Sequence, residues 1–308
     1  MTGILRASSA FGVCLALGMS STVLAATGDQ LAKLQPNDFE VGDGFGSSVA
    51  ISGNTAIINS SSGKDDGSAY LFDATTGNQI AKLQPNDSAA NFGFGASVSI
   101  SGNTAIVGSP GDRNGDAYGS AYLFDITTGD QIGKLLPDDG EAGYRFGDAV
   151  SISGNNAIVG SIYNDGFGTY HGSAYLFDIT TGNQIAKLLP DEGPALNWFG
   201  QSVSISGNTA IVGSTEYRGL GASFSRSFAY VFDVTTGNQI AKLLSDDGLP
   251  YLSNPPSEEF GTTLSISGNT AIVGSRGEAT AYLFEVPEPV SLAILSLGGL
   301  AILRQRHG

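Results

Sequence analysis

The stretch Phe94-Gly95-Ala96-Ser97-Val98-Ser99-Ile100-Ser101-Gly102-Asn103-Thr104-Ala105-Ile106-Val107-Gly108-Ser109 decides the fold of this chain. From Ser97 to Ser101 polar and apolar residues alternate, the two-residue period of a strand with one buried face. Gly102-Asn103 then interrupts, and a β-branched run resumes at Thr104. A Gly-Asn pair between two such runs is the signature of a tight hairpin. The stretch therefore reads as two antiparallel strands, A and B.

Working outward, the same pattern recurs along the chain. Phe-Gly returns at Phe45-Gly46, Phe146-Gly147, Phe199-Gly200 and Phe260-Gly261, and the hairpin at Gly53-Asn54, Gly154-Asn155, Gly207-Asn208 and Gly268-Asn269. After a variable stretch comes Ser120-Ala121-Tyr122-Leu123-Phe124-Asp125 or a relative, whose aromatic and branched residues suit a pleated surface; this is strand C. A Thr-Thr-Gly turn follows, with Gly77, Gly129, Gly182 or Gly237 free to take positive φ, and then strand D, as in Gln79-Ile80-Ala81-Lys82-Leu83. Four antiparallel strands in each of five copies are the blades of an all-β, five-bladed propeller. The fifth copy stops after Tyr282-Leu283-Phe284, and its D strand stands at the other end of the chain, as Gly28-Asp29-Gln30-Leu31-Ala32-Lys33-Leu34. A closed ring needs such a permutation, because the first strand then completes the last blade and removes the exposed edges. The expected domain is 26–286.

Composition agrees. The chain of 308 residues holds 44 glycines and is only 14% charged, a balance that favours short strands and tight turns over helices. A formal charge of −15 repels phosphate backbones, so nucleic acid is excluded as a partner of the body. The single cysteine, Cys14, lies in an apolar N-terminal run.

The two ends read as addresses. Residues 1–25 combine Arg6, an apolar stretch and Val23-Leu24-Ala25 before Ala26, the pattern of a signal peptide cut by signal peptidase between Ala25 and Ala26. Residues 287–308 run Pro287-Glu288-Pro289, an uncharged apolar segment 290–303, then Arg304 and Arg306. Apolar run followed by arginines is a stop-transfer order, with the membrane reached through the tail. This tail resembles a PEP-CTERM sorting signal of exported proteins in Gram-negative-type bacteria, which implies an exosortase as processing partner and a place on the outer surface or in the extracellular matrix.

The repeated Phe-Gly…Ser-Val-Ser-Ile-Ser-Gly-Asn-Thr-Ala-Ile-Val-Gly-Ser unit, from Gly28 to Phe284, resembles the FG-GAP repeat, the blade of integrin α-chains and of bacterial surface proteins. Gly108-Ser109-Pro110 is the nearest approach to the Gly-Ala-Pro part of that motif, and integrin heads have seven blades, so integrin-type partner binding does not carry over. The resemblance implies Ca²⁺ in loops with closely spaced oxygen donors, and Asp112, Asn114 and Asp116 match best. Turn carboxylates in water account for the same residues without a metal.

The B–C and D–A connections vary while the A–B and C–D turns do not, so variation falls on one face of the blades. Aromatics there, among them Phe39, Tyr144, Tyr163, Tyr170, Trp198, Tyr217 and Tyr251, could stack on sugars or pack over blade ends. Each D–A loop opens with a polar pair (Asn37-Asp38, Asn86-Asp87, Asp138-Asp139, Asp191-Glu192, Asp246-Asp247), read as turn-shaping residues bonding their own backbone. No nucleophile elbow, phosphate loop or histidine pair is present, and His171 is the only histidine outside the tail. The expectation is a monomeric, non-catalytic binding or structural module facing an extracellular polysaccharide or surface protein. Two alternatives stand beside it: a glycan-active enzyme using carboxylates such as Asp116, Asp148 and Glu259, and a calcium-dependent adhesion module.

Overall fold

A computed structural model describes residues 30–38, 40, 42–61, 67–87, 93–111, 119–140, 145–162, 172–192, 198–215, 227–245, 260–275 and 279–289. The chain divides into an N-terminal unit, residues 1–31, and a body, residues 32–308; of the first unit only Gln30 and Leu31 are described. The sequence assignments Ala25–Ala26, Asp112, Asn114, Asp116, Arg304 and Arg306 lie outside the described residues.

Every regular element among the described residues is a strand. Blade 1 is β1 (Phe45–Ser52), β2 (Thr55–Ser60), β3 (Ser68–Asp73) and β4 (Gln79–Leu83), hydrogen-bonded in that order. Blades 2, 3 and 4 repeat it: β5 (Ser97–Ser101), β6 (Thr104–Ser109), β7 (Ser120–Asp125), β8 (Gln131–Leu135); β9 (Phe146–Ser153), β10 (Asn156–Ser161), β11 (Ser173–Asp178), β12 (Gln184–Leu188); β13 (Ser202–Ser206), β14 (Thr209–Thr215), β15 (Ser227–Asp233), β16 (Gln239–Leu243). The fifth sheet has three strands, β17 (Phe260–Ser267), β18 (Thr270–Ser275) and β19 (Thr280–Glu285). Within each sheet the strands pair antiparallel, and a lone parallel bridge links Gly119 to Phe146 of the next blade. The strands fall where the alternation and the turns put them. In the A–B turns only the glycine has positive φ, 54° to 56°, as in a type II′ hairpin.

Successive blades meet through one repeated apolar interface. Ile57, Ala69, Leu71 and Leu83 of blade 1 pack on Phe94, Val98, Ile100, Ala105, Val107, Tyr122 and Phe124 of blade 2, and the equivalent residues join blades 2 to 3, 3 to 4 and 4 to 5. The Phe of Phe-Gly anchors each: Phe94 meets Tyr122 edge-on at 5.7 Å and Phe124 at 6.0 Å between ring centroids. The following glycine allows close approach. A Cβ on Gly147 would stand 2.4 Å from Ser120 O, and one on Gly200 2.3 Å from Ser173 O.

The A strands run parallel to one another, stapled by serine. Ser48 Oγ accepts from Val98 N (3.1 Å) and Ser52 Oγ from Gly102 N (3.2 Å). Ser99 and Ser101 accept from Ile152 and Gly154, Ser151 and Ser153 from Ile205 and Gly207, Ser204 and Ser206 from Ile266 and Gly268. The polar residues of the alternating strand are thus the acceptors for the next blade's backbone.

At the two ends of the row of blades the equivalent residues are exposed. Residues 30–36 belong to no strand, so the expected pairing of Gly28–Leu34 with Tyr282–Phe284 is not seen among the described residues. Within the body, Ala32 Cβ and Leu34 Cδ2 lie against Gly77 as Ala81 and Leu83 lie against Gly129, and Leu34 joins Ile58, Tyr70 and Phe72. The segment keeps its contact with the blade that follows it in sequence. That contact is local and costs little chain entropy, whereas pairing with β19 closes a loop of almost the whole body. Val49 and Ile51 are 64% and 65% exposed where Val98 and Ile100 are 6% and 7%, and Ile272 and Leu283 are 44% and 73% exposed where Ile57 and Leu71 are fully buried.

Candidate functional site

The antiparallel order puts the A–B and C–D turns at one end of every blade and the B–C and D–A loops at the other. The parallel A strands keep these ends in common from blade to blade. The loop end is the candidate binding face, and the blades beneath it are joined through the polar pairs of the D–A loops.

The polar pairs of the D–A loops shape structure within their own turn, where Asp38, Asp87, Asp139 and Glu192 accept from their own backbone amides, and also between blades. Asn86 N donates to Gln131 Oε1 of the next blade's D strand (2.9 Å), and the Asn37, Asp138 and Asp191 amides do the same to Gln79, Gln184 and Gln239. The second residue is a clamp. Asp87 accepts from Tyr122 Oη (3.0 Å) and from Lys134 Nζ (2.6 Å), while Lys134 sits 5.2 Å over the Tyr122 ring. Asp139 holds Tyr175 and Lys187, Glu192 holds Tyr230 and Lys242, and Asp38 holds Lys82. The fifth pair, Asp246-Asp247, lies outside the described residues.

Burial works to raise the carboxyls of Asp87, Asp139 and Glu192, but hydrogen bonds from the clamped lysine and tyrosine outweigh it and hold each below its ordinary value. For Asp38 the Lys82 hydrogen bond is the leading cause of the same shift. Burial pushes the Tyr70 and Tyr122 hydroxyls up. These carboxylates are ionised, engaged and structural.

Asp148, the one acidic residue of the A strands, is paired with Arg145 at 2.5 Å, and both are largely buried. Arg145 takes φ 54° at the position where blades 1 and 2 have Gly44 and Gly93, a backbone cost tolerated because the guanidinium reaches Asp148. Of the carboxylate set Asp116, Asp148 and Glu259, only Asp148 is described, and it is engaged in this ion pair. Among the described residues no group of three His, Cys, Asp or Glu could hold a metal ion. Of the loop aromatics only Trp198 is described, and it is 38% exposed.

Four stretches of the chain, 28–72, 78–124, 130–177 and 183–232, match the model of the FG-GAP repeat, together more than half its length. The chain belongs to the FG-GAP repeat family. Each matched FG-GAP stretch begins with a D segment and ends in strand C of the following blade, so residues 28–34 are matched as the equivalent of 78–83. The fifth copy of the unit, β16 to β19, lies beyond the matched stretches and carries the same Phe260-Gly261 and Gly268-Asn269 signals.

Among solved structures, Hydrazine Synthase from Kuenenia stuttgartiensis is similar at 16% identity, with a TM-score of 0.54 over 83% of this chain and 69% of that one; the likeness concerns the fold alone. The computationally designed Ika4 protein is matched at 14% identity and a TM-score of 0.34, over 84% of this chain and 99% of that one. No curated protein matches.

At the turn end, the C strands close with an Asp-x-Thr-Thr-Gly turn. Asp125 Oδ1 accepts from Thr127 N (2.7 Å) and from Thr127 Oγ1, and Gly129 N donates back to Asp125 O (2.8 Å). These hydrogen bonds, led by the threonine hydroxyl, hold Asp125 below its ordinary pKa. Of the residues that the sequence suggests as a sorting signal, Pro287, Glu288 and Pro289 occupy the same turn position after β19, with Glu288 Oε1 accepting from Asn269 Nδ2 (2.8 Å). No helix among the described residues is long and apolar enough to cross a membrane.

Proposed function

We propose that this FG-GAP protein is an exported, membrane-sorted, non-catalytic propeller of the cell surface or extracellular matrix, monomeric, whose loop face contacts a polysaccharide or another surface protein. The observation that carries the reading is the division of labour between the two ends of the blades. The apolar contacts, Gln bonds and Lys clamps that join blade to blade recur, whereas the B–C connections differ, from 276–279 to 216–226. A rigid repeated scaffold with variation confined to one set of loops is the arrangement of a binding module. Signal peptidase at Ala25–Ala26 and an exosortase acting on the Pro287-Glu288-Pro289 tail with Arg304 and Arg306 are its processing partners.

The reading includes closure of the five blades into a ring, with the segment ending Ala32-Lys33-Leu34 as the fourth strand of the last blade. The end blades support it because they keep the residues of an interior interface. Val49 and Ile51 on one side and Ile272 and Leu283 on the other are the two halves of the contact made between every other pair of blades. Gly46 and Gly274 stand where interior blades need glycine for close approach, although Gly46 has no neighbour within 4 Å. Ser265 and Ser267 face solvent at the positions of the interior staples. An open row would carry polar caps at its ends instead.

The test is a screen of the mature protein against extracellular polysaccharides and matrix proteins, with calcium and with a chelator. Binding that disappears when the loop 162–172 is replaced by the shorter 61–67 supports the reading. Absence of binding in both conditions leaves a purely structural role, and hydrolysis of a glycan overturns the non-catalytic part.

A further inference from the structure

The last described residues show which face of the molecule the tail leaves from. In blades 1 to 4 the residue after the C-strand Asp starts the turn by donating its amide to the A–B turn: Ala74 to Asn54 O, Ile126 to Asn103 O, Ile179 to Asn155 O and Val234 to Asn208 O. Blade 5 makes the same first step, with Val286 N donating to Asn269 O at 2.7 Å and the Val286 side chain buried. The steps after it are blocked. Pro287 stands where the first threonine supplies an amide to the aspartate, and proline has none. Pro289 stands where Gly77, Gly129, Gly182 and Gly237 take φ of 72° to 79°, which the proline ring forbids. The chain therefore cannot make here the turn that leads from strand C into strand D in blades 1 to 4. Its last described residues stand at the turn end of the blade, pinned there by Asn269 Nδ2 on Glu288 Oε1 at 2.8 Å.

We propose that the face of A–B and C–D turns is the side that meets a lipid bilayer, so that the B–C and D–A loops are presented to the medium. The inference rests on the reading of residues 290–303 as a membrane-seeking segment, and adds to it a direction. The two faces are separated by the length of a strand, about 20 Å for six residues. Charge supports a tail-dependent approach to lipid. The turn face displays the carboxylates Asp73, Asp125 and Asp178 and no lysine or arginine in its turns, so it gains nothing from anionic head groups.

The experiment uses the mature chain, residues 26–308, which holds no cysteine, with one fluorophore attached through Asn103→Cys or Asn155→Cys on the turn face, or through Asp138→Cys or Asp191→Cys on the loop face. Each protein is added to phosphatidylcholine vesicles containing a head-group quencher. Co-flotation that does not rise with anionic lipid, and quenching at 103 and 155 several-fold above that at 138 and 191, is the expected result. Floated protein quenched equally at both faces, or more at the loops, overturns the orientation while leaving the tail reading intact. Failure to float overturns the tail reading and the orientation with it. Replacing Pro287 by Thr and Pro289 by Gly is expected to reduce the difference between the faces; an unchanged difference removes the two prolines as its cause.

Discussion

Asp87 illustrates what one side chain can do between repeats. Its carboxylate receives a tyrosine hydroxyl and a lysine ammonium from the next blade, and the lysine in turn lies over the tyrosine ring. Tyr122 is buried, but the carboxylate and the ammonium are partly exposed, so the ion pair alone is worth only about 0.2–1 kcal/mol. Replacing Asp87 by Asn is expected to cost about 1 kcal/mol in urea unfolding, since the tyrosine bond is weakened as well. The sign of the pH dependence follows from the direction of the shifts. Asp38, Asp87, Asp139 and Glu192 are all held below their ordinary values of 3.8 and 4.5, so their contribution is complete above those values and is lost as pH falls through them to the lower folded-state values. Thermal melts are expected to be flat from pH 7 down to about 5 and to fall steeply below about 4; the fall should be smaller in a variant lacking several clamps.

A strand acts here through its alternation, and both halves of the alternation are used. In β5 Val98 and Ile100 enter the apolar interface, while Ser99 and Ser101 accept amide hydrogen bonds from β9. Ser99→Ala leaves the Ile152 amide without its acceptor and is expected to destabilise by about 1 kcal/mol. The Phe-Gly step that precedes the strand tolerates less. Gly147 combines φ of 102° with a virtual Cβ 2.4 Å from Ser120 O, so Gly147→Ala should cost more than about 2 kcal/mol, whereas Ala at the exposed turn glycine Gly102, with nothing within 4 Å, should cost about 1. Equal losses at the two sites in chemical denaturation would count against the close-approach argument.

For the whole molecule, the question is whether the divided interface at the ends is joined. Leu283→Ala and Val49→Ala remove large side chains that are exposed when the ends stand apart and buried when the ring is shut. In a closed ring each should cost about 2–4 kcal/mol, as in any core, and the double variant should cost less than the sum because the two face each other. Costs near zero for both, with Leu71→Ala as the buried control, would mean an open row of sheets. The same ring would fix both chain ends at one blade, since the segment before Phe45 and the segment after Glu285 then belong to a single sheet.

What the sequence determined by itself is the repeating unit: strand boundaries, the Gly-Asn and Thr-Thr-Gly turns and the apolar face of each strand are local properties, set by two-residue periodicity and by glycine at positive φ. Five copies of these signals suffice to give the blades and the family. Tertiary structure alone decided what the polar residues do. Asn86-Asp87 has the composition of a turn that bonds itself, and Asp87 does accept from its own amide, but Tyr122, Gln131 and Lys134 reach the pair from the following blade. The serines of strand A are indistinguishable in sequence from a solvated edge, and Asp148 from a candidate acid, until Ile152 and Arg145 are seen beside them. Periodicity reports which side of an element is buried; the partner of a buried polar group is another element, and its distance along the chain is not written in the pattern.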